Sequence, residues 1–243
     1  MKLLVSVVDK SEAIESINGG AHIIDVKNPK EGSLGANFPR VIREIKNVIP
    51  ENIELSATIG DMPNIPGTAA LAALGAAVCG VKYVKIGLFG VKNIEDSTTM
   101  LTEVCRAVKE YNDKLKIIAS GYADYKTVGC INPLKLPGIA YNADADGVLI
   151  DVKIKNRKSN LFNFLKNNQL RKFVIQAHSY NLLVALAGSL KKQDIEPVYN
   201  LGSDIIGFRG ALCTNIDRLN GKLEKEKVIE FKEKIRNISS IKL

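Results

Sequence analysis

Eight short runs of apolar, β-branched residues recur along this chain, and most are separated by a segment with helical spacing. The runs lie at residues 3–8, 22–26, 53–58, 83–86, 116–120, 147–151, 182–187 and 204–208. Because they are continuously apolar rather than alternating, they predict strands covered on both faces, as in a parallel sheet. Eight strand–helix repeats in 243 residues therefore predict an α/β fold, a single (β/α)8 TIM barrel that occupies residues 1–243 as one domain.

Helical spacing is clearest at residues 11–17, 39–48, 68–78, 95–111 and 170–180, and residues 224–238 predict an amphipathic closing helix. Residues 173–175 favour a strand by propensity, but Leu170, Phe173 and Ala177 share a helical face, so a helix is predicted. The polar residues 157–168 predict a longer loop with a short helix. The alternative fold is a doubly wound open sheet, which usually has a glycine-rich turn after its first strand; Val8-Asp9-Lys10-Ser11 has no glycine.

The charge balance favours anionic partners, since 34 Lys and Arg residues against 26 Asp and Glu give a formal net charge of +8. Nucleic acid and small phosphorylated metabolites are both anionic. The sequence has no finger, aromatic-basic stripe or helix-turn-helix signature, so we expect a small phosphorylated substrate and no nucleic acid.

Metal, disulfide and membrane functions are disfavoured by composition. The four cysteines lie far apart without a C-x-x-C pair, which predicts free, mostly buried thiols, and two histidines nearly exclude a histidine-rich metal site. No basic-then-apolar leader and no apolar run near the ~18 residues that cross a bilayer is present. We therefore expect a cytoplasmic protein without a membrane partner.

Asp25-Val26-Lys27 is the motif that most clearly indicates chemistry. A strand places Asp25 and Lys27 on the same face, and the preceding apolar run indicates that this face is buried. A lysine beside a carboxylate at the mouth of an apolar barrel is typical of an amine that attacks carbonyl groups.

Further polar residues end the other predicted strands, where barrel enzymes place their chemistry. They include Asp61 after strand three, Lys85 on strand four, Tyr122 after strand five, and Asp151, Lys153 and Lys155 on or after strand six. Burial and mutual repulsion of Lys27 and Lys85 would lower the pKa of one lysine and make it a nucleophile or base. Asp25 and Asp151 would balance the charge and relay protons. A purely structural ion-pair cluster is the alternative.

Two glycine-containing turns are candidate phosphate sites. Gly188-Ser189 follows strand seven, and Arg209-Gly210 follows strand eight; each turn is predicted to open a helix. Glycines let backbone N–H groups approach a phosphate, and the loops after strands seven and eight bind phosphate in many barrels. Ordinary barrel turns are the alternative, and residues 32–35 are a weaker candidate for a second anionic group.

An amine nucleophile, carboxylates and a phosphate cradle together imply imine chemistry on a phosphorylated aldehyde or ketone. Such aldolase-type chemistry requires no cofactor and no metal. Three other classes stay open: a cofactor-free isomerase or aldolase on sugar phosphates, a non-catalytic sensor of a phosphorylated ligand, and a basic nucleic-acid binder.

The chain resembles the archaeal (5-formylfuran-3-yl)methyl phosphate synthase family, also called 4-(hydroxymethyl)-2-furancarboxaldehyde-phosphate (4-HFC-P) synthase. The resemblance is carried by DVKNP at 25–29, GSLGA at 32–36, KIGL at 85–88, LAGSL at 186–190 and GFRGALC at 207–213. It implies a (β/α)8 lyase of methanofuran biosynthesis that joins two molecules of glyceraldehyde 3-phosphate and loses phosphate and water.

The resemblance also implies roles for single residues. Lys27 would form the Schiff base and Lys85 would accept a proton, with support from Asp25, Asp151 and Lys155. A phosphate would be held by Gly188, Ser189, Arg209 and Gly210. The oligomeric state is open, and a homo-oligomer is possible because barrels often associate.

Overall fold

Eight parallel strands close into a barrel in chain order, with β8 paired to β1. The computed structural model describes residues 1–156 and 158–241. The strands are β1 Lys2–Val7, β2 Ile23–Val26, β3 Glu54–Met62, β4 Tyr83–Leu88, β5 Lys116–Tyr122, β6 Gly147–Asp151, β7 Leu183–Leu186 and β8 Ile205–Phe208. This closed sheet with its surrounding helices confirms the predicted (β/α)8 barrel and excludes the open sheet.

The helices are α1 Lys10–Asn18, α2 Pro39–Lys46, α3 Pro66–Ala77, α4 Ile94–Tyr111, α5 Tyr125–Val128, α6 Leu136–Asn142, α7 Leu161–Phe164, α8 Asn167–Ser179, α9 Ile195–Leu201 and α10 Lys225–Ile241. Four 3₁₀ helices lie at Pro133–Lys135, Lys192–Asp194, Gly210–Leu212 and Thr214–Ile216. Side-chain caps explain several starts: Asp9 accepts from the Glu12 N–H at the start of α1, and Asn93 caps α4 through Asp96.

Helix α8 contains residues 173–175, so the helical interpretation of this segment is confirmed. The predicted loop at 157–168 contains α7, and α8 begins inside it at Asn167; residue 157 lies outside the described residues. Helices α5, α6 and α9 were not predicted. They span only four to seven residues, too short for a clear 3.6-residue period.

Inward-facing residues of the strands form an apolar layer in the lower part of the barrel, made by Leu4, Ile23, Tyr83, Ile118, Leu149, Ala185 and Ile205. Alternate residues such as Leu3 and Val5 point outward into the larger core beneath the helices. Above the apolar layer the inward positions are polar and still buried: Ser6, Asp25, Ser56, Lys85 and Ser120. The barrel therefore has an apolar floor and a polar carboxyl-terminal mouth.

All four cysteines are buried and free, as predicted. No helix in the described ranges combines the length and apolar character needed to span a membrane.

Candidate active site

Asp25 and Lys85 form an ion pair in the centre of the barrel. Lys85 Nζ lies 2.7 Å from Asp25 Oδ1, and the two side chains are 4% and 0% exposed. Ser6 Oγ donates to the other carboxylate oxygen at 2.9 Å. Charges this deeply buried are tolerated only with such partners, so the pair holds both side chains in fixed positions.

Lys27 follows β2 directly, on the same inward face as Asp25. The residue is 7% exposed, and its Nζ donates to Ser33 O at 3.3 Å, its one hydrogen bond within the described ranges. Burial lowers the pKa of Lys27 to about 7; the charges of Asp151 and Asp25 oppose this shift, and Lys155 and Lys85 add to it. About half of the Lys27 side chains therefore carry a neutral, nucleophilic amine near pH 7.

Asp151 ends β6 and is surrounded by donors. Its carboxylate pairs with Lys155 and accepts from the Val152 N–H at 2.7 Å and from Ser33 Oγ at 3.1 Å. Burial by itself would raise the pKa of Asp151, but Lys155, Lys27 and the Val152 N–H hold this pKa well below its usual range. Asp151 is therefore an ionised carboxylate that can order water and protonated groups next to Lys27.

The loop between β2 and α2 connects Lys27 with Asp151 through a single residue. The carbonyl of Ser33 accepts from Lys27, and its hydroxyl lies within hydrogen-bond distance of both Asp151 Oδ2 and Val152 O, at 3.1 and 2.9 Å. This loop therefore sets the position of the amine relative to the carboxylate.

Asp61 on β3 holds this loop in place. Its carboxylate accepts from the N–H groups of Ser33 at 2.9 Å and Leu34 at 3.2 Å. Gly32 has φ +149°, and a Cβ there would lie 2.1 Å from Asp61 Oδ2, so only glycine permits the approach. The anionic group bound by residues 32–35 is thus Asp61 itself, which differs from the substrate anion that the sequence suggested for this loop.

Two further side chains fix Asp61. Tyr122 donates to Asp61 Oδ1, and Lys153 Nζ lies 3.1 Å from Oδ2. The pairing of β3 with β4 shifts register between Thr58 and Asp61. This shift changes the direction of the end of β3 and places Asp61 opposite Gly87. Lys153 therefore neutralises Asp61.

Replacing Asp61 by Asn is expected to loosen the loop, since the amide keeps one acceptor and puts an N–H₂ group against a backbone donor. We expect the free energy of unfolding to fall by about 2–3 kcal/mol and turnover to fall by about tenfold or more. Urea denaturation and steady-state kinetics measure the two effects. Tyr122→Phe is the matched control, because it removes one bond to Asp61 and keeps both bonds to the loop. Unchanged turnover in Asp61→Asn would show that the loop does not position the site.

A cavity of about 600 Å³ opens at this mouth. Eight of the nine predicted site residues line it: Lys27, Lys85, Asp151, Lys155, Gly188, Ser189, Arg209 and Gly210. The ninth, Asp25, lies below the cavity and pairs with Lys85. Lys82, another lysine next to β4, precedes that strand and pairs with Glu54 at 2.5 Å, so it lies at the opposite end of the barrel.

The turn after β7 presents backbone donors to the cavity. Gly188 has φ +106° and Ser189 has φ +55°, and their N–H groups meet no acceptor in the described part of the chain. The Gly188 carbonyl is anchored by the Leu161 N–H at 3.0 Å. The predicted helix starts differ: a 3₁₀ helix begins at Lys192, and Gly210 begins another of three residues. Any anion binding here comes from the turn backbone and not from the start of a long helix.

Arg209 is placed differently from the phosphate ligand that the sequence suggested. Its guanidinium donates to Glu12 Oε2 at 2.7 Å, Glu12 Oε1 at 3.3 Å, the Ser6 carbonyl at 3.1 Å and the Arg218 carbonyl at 2.8 Å. The residue is 6% exposed. Because its charge is neutralised by Glu12, Arg209 fixes the loop after β8 and has little capacity left for a ligand.

Several side chains that shape the site, or their contacts, were not predicted from the sequence. Asp61 and Tyr122 were recognised as strand-end polar residues, but their link to the loop at 32–34 was not. Glu12 on α1 and Arg218 gave no signal, since both look like ordinary surface charges in the sequence. Within residues 1–156 and 158–241, no three His, Cys, Asp or Glu side chains come together in a geometry that could hold a metal ion.

The closed barrel, with a buried lysine and its acidic neighbours at the carboxyl-terminal mouth, places this chain among the (β/α)8-barrel enzymes. The family model described as 4-HFC-P synthase matches residues 3–232. The chain therefore belongs to the 4-HFC-P synthase family and is a synthase of methanofuran biosynthesis.

Relatives support the same family over nearly the whole chain. The (5-formylfuran-3-yl)methyl phosphate synthase of Methanocaldococcus jannaschii is 50% identical over 233 residues, which cover 96% of this chain and 99% of that protein. The enzyme of the same name from Methanosarcina mazei is 53% identical over 213 residues, covering 88% and 91%. The resemblance seen in the sequence motifs is confirmed.

Solved structures with low identity share the fold. Phosphoribosyl anthranilate isomerase from Thermus thermophilus is 13% identical with a TM-score of 0.63, covering 98% of this chain and 100% of that chain. KGPDC from Streptococcus mutans is 13% identical with a TM-score of 0.67, covering 98% of both chains. At this identity the likeness shows the barrel alone.

Proposed function

We propose that this protein condenses two molecules of glyceraldehyde 3-phosphate into 4-HFC-P through a Schiff base on Lys27. The observation that carries the proposal is a buried lysine with a pKa of about 7, set in a cavity with an ionised carboxylate and free backbone donors. Membership of the family supports the product. Atom balance requires the loss of one phosphate and two waters, and it closes without an oxidant or reductant.

The first step is the attack of neutral Lys27 Nζ on the substrate carbonyl. The carbinolamine loses water to give an iminium, which draws electrons from the neighbouring carbon and acidifies its proton. Ionised Asp151 stabilises the cationic iminium, because it lies across Ser33 from the amine. The role of Ser33 is to keep this spacing fixed while the charge on nitrogen changes.

Carbon–carbon bond formation follows from the enamine. One triose phosphate, isomerised to the ketose and held on Lys27, adds through its enamine carbon to the aldehyde of the second. Lys85 exchanges the proton with the reacting oxygen and carbon, and Asp25 compensates the change in its charge at 2.7 Å. Lys155, paired with Asp151, assists departure of the eliminated phosphate.

Elimination of phosphate, cyclisation and dehydration complete the furan. Aromatic stabilisation makes these last steps downhill. The phosphate that is kept rests against the N–H groups of Gly188, Ser189 and Gly210, which line the cavity. An apolar barrel floor below the polar layer keeps water scarce around the imine.

Product analysis tests the proposal directly. Incubation with glyceraldehyde 3-phosphate should release one phosphate for each conjugated furan aldehyde, detected by ultraviolet absorption and mass spectrometry. Consumption without a furan product would indicate another aldolase or isomerase. Binding without consumption would indicate a sensor. The absence of nucleic-acid binding, the homo-oligomer and the cytoplasmic location stay predictions from the sequence.

A further inference from the structure

Arg218 lines the cavity, and within the part of the chain that the structure describes it pairs with no acidic side chain, unlike three other cations of the site. Lys85 pairs with Asp25, Lys155 with Asp151, and Arg209 with Glu12. Among the residues that the structure describes, no carboxylate oxygen lies within 4.0 Å of the Arg218 guanidinium. Its one hydrogen bond there runs from Nη2 to Gly32 O at 2.8 Å. The side chain is half-buried and lines the cavity, so a cation without a contacting carboxylate among the described residues borders the ligand space.

The position of Arg218 is fixed from two sides. Its carbonyl accepts from Arg209 Nε at 2.8 Å, and Arg209 is itself locked by Glu12 on α1. Its guanidinium reaches across the mouth to Gly32, next to the residue that contacts Lys27. The charge is therefore held in place before any ligand arrives, which reduces the entropy lost on binding.

Arg218 also lies beside the backbone donors of the loop after β8. A Cβ built on Gly210 would lie 3.5 Å from the Cβ of Arg218, so the two residues are immediate neighbours. A planar guanidinium with free N–H groups next to backbone N–H groups matches the oxygens of a phosphate, which arginine binds through two parallel hydrogen bonds.

We propose that Arg218 binds the substrate phosphate together with the backbone of Gly210, and that Arg209 is the positioning residue that holds Arg218 in place. The identity of the ligand as a triose phosphate rests on the proposed function; the phosphate-binding chemistry of Arg218 does not. The distribution of charge favours this assignment, since a phosphate would give a half-buried arginine the anionic partner that it lacks among the described residues.

Titration of the full-length protein with inorganic phosphate tests the site without turnover. Arg218→Gln is expected to weaken phosphate binding by about 10- to 100-fold, and Arg218→Lys by a smaller factor, since an ammonium cannot form the paired bonds. Arg171→Gln is the matched control: it removes one positive charge from an exposed residue on α8 and should leave the dissociation constant unchanged. Isothermal titration calorimetry gives the constants, and circular dichroism checks folding.

Kinetics separate binding from chemistry. In Arg218→Gln the KM for glyceraldehyde 3-phosphate should rise by a similar factor, while labelling of Lys27 at saturating substrate persists. Wild-type affinity for phosphate in both Arg218 variants, or no binding to the wild-type protein, would overturn the proposal. If Arg218→Gln does not fold, wild-type affinity in Arg218→Lys alone overturns it. Arg218-dependent phosphate binding without furan formation would refute the proposed function and leave the Arg218 site standing.

Discussion

Lys27→Met is expected to abolish furan formation, with turnover reduced by about 10³-fold or more, because the variant has no nucleophile to form the imine. Lys27→Arg should be equally inactive, since a guanidinium keeps the charge and cannot attack a carbonyl. Borohydride reduction in the presence of glyceraldehyde 3-phosphate should add the triose to Lys27 of the wild-type protein, as located by peptide mass spectrometry.

The matched control is Lys30→Met, which removes an exposed lysine three residues further along the same loop. It should keep both turnover and the labelling of Lys27. Labelling at another lysine, or normal turnover in Lys27→Arg, would show that the covalent step does not use this residue.

The pH dependence follows from the lowered pKa of Lys27. Only the neutral amine attacks, so the rate of borohydride trapping should rise about tenfold per pH unit below pH 7 and level off above it.

The lowered pKa of Lys27 also makes stability depend on pH. Between pH 7 and about 10.5 the Lys27 amine is protonated in the unfolded chain and neutral in the folded protein. The free energy of unfolding of the wild type, relative to that of Lys27→Met, should therefore rise with pH across this window by about 1.4 kcal/mol per unit.

Lys85→Met is expected to be the most destabilising single change at the site. It leaves the Asp25 carboxylate buried with Ser6 as its remaining partner, and an unpaired buried charge costs about 3–5 kcal/mol. Turnover should also fall sharply, because no group is left to exchange the proton. Urea denaturation and phosphate-release kinetics measure the two losses.

The double variant Asp25→Asn/Lys85→Met separates stability from chemistry. It removes both charges, so most of the stability should return while turnover stays low. The exposed pair Glu103–Arg106, with side chains 40% and 59% exposed, is the contrast: Arg106→Gln should cost at most about 1 kcal/mol. A Lys85→Met protein as stable as the wild type would mean that the buried pair contributes nothing, and near-normal turnover in the double variant would remove Lys85 from the mechanism.

The barrel was predictable from local patterns, and most predicted strands lie close to the observed ones in sequence. The apolar runs at 147–151 and 83–86 match β6 and the start of β4. In β3 the structure extends the predicted strand to Met62, because the register shift after Thr58 adds residues that no two-residue period reveals. Helix α6, Leu136–Asn142, contains a proline and a glycine and forms through packing against its neighbours, so propensity alone gave no signal.

The candidate site likewise contains some residues that local patterns predicted and others that they did not. Lys27, Lys85, Asp25 and Asp151 could be singled out because a charge that ends an apolar strand has a defined inward direction. Arg209 was singled out because it follows β8 directly, whereas Arg218, further along the same loop region, gave no signal in the sequence. Which of these two cavity-lining arginines is paired with a carboxylate depends on Glu12, which is almost 200 residues away in sequence and contacts Arg209.

The order of strands and the inward direction of their last residues were therefore determined by the sequence itself, since hydrophobic periodicity and strand alternation act over neighbouring residues. The partners of those residues were decided only by the tertiary structure. Closing the barrel brings Ser33 to Asp151, Asp61 to the loop after β2, and Glu12 to Arg209. Pairing of buried charges depends on distances across the barrel, and no local pattern contains those distances.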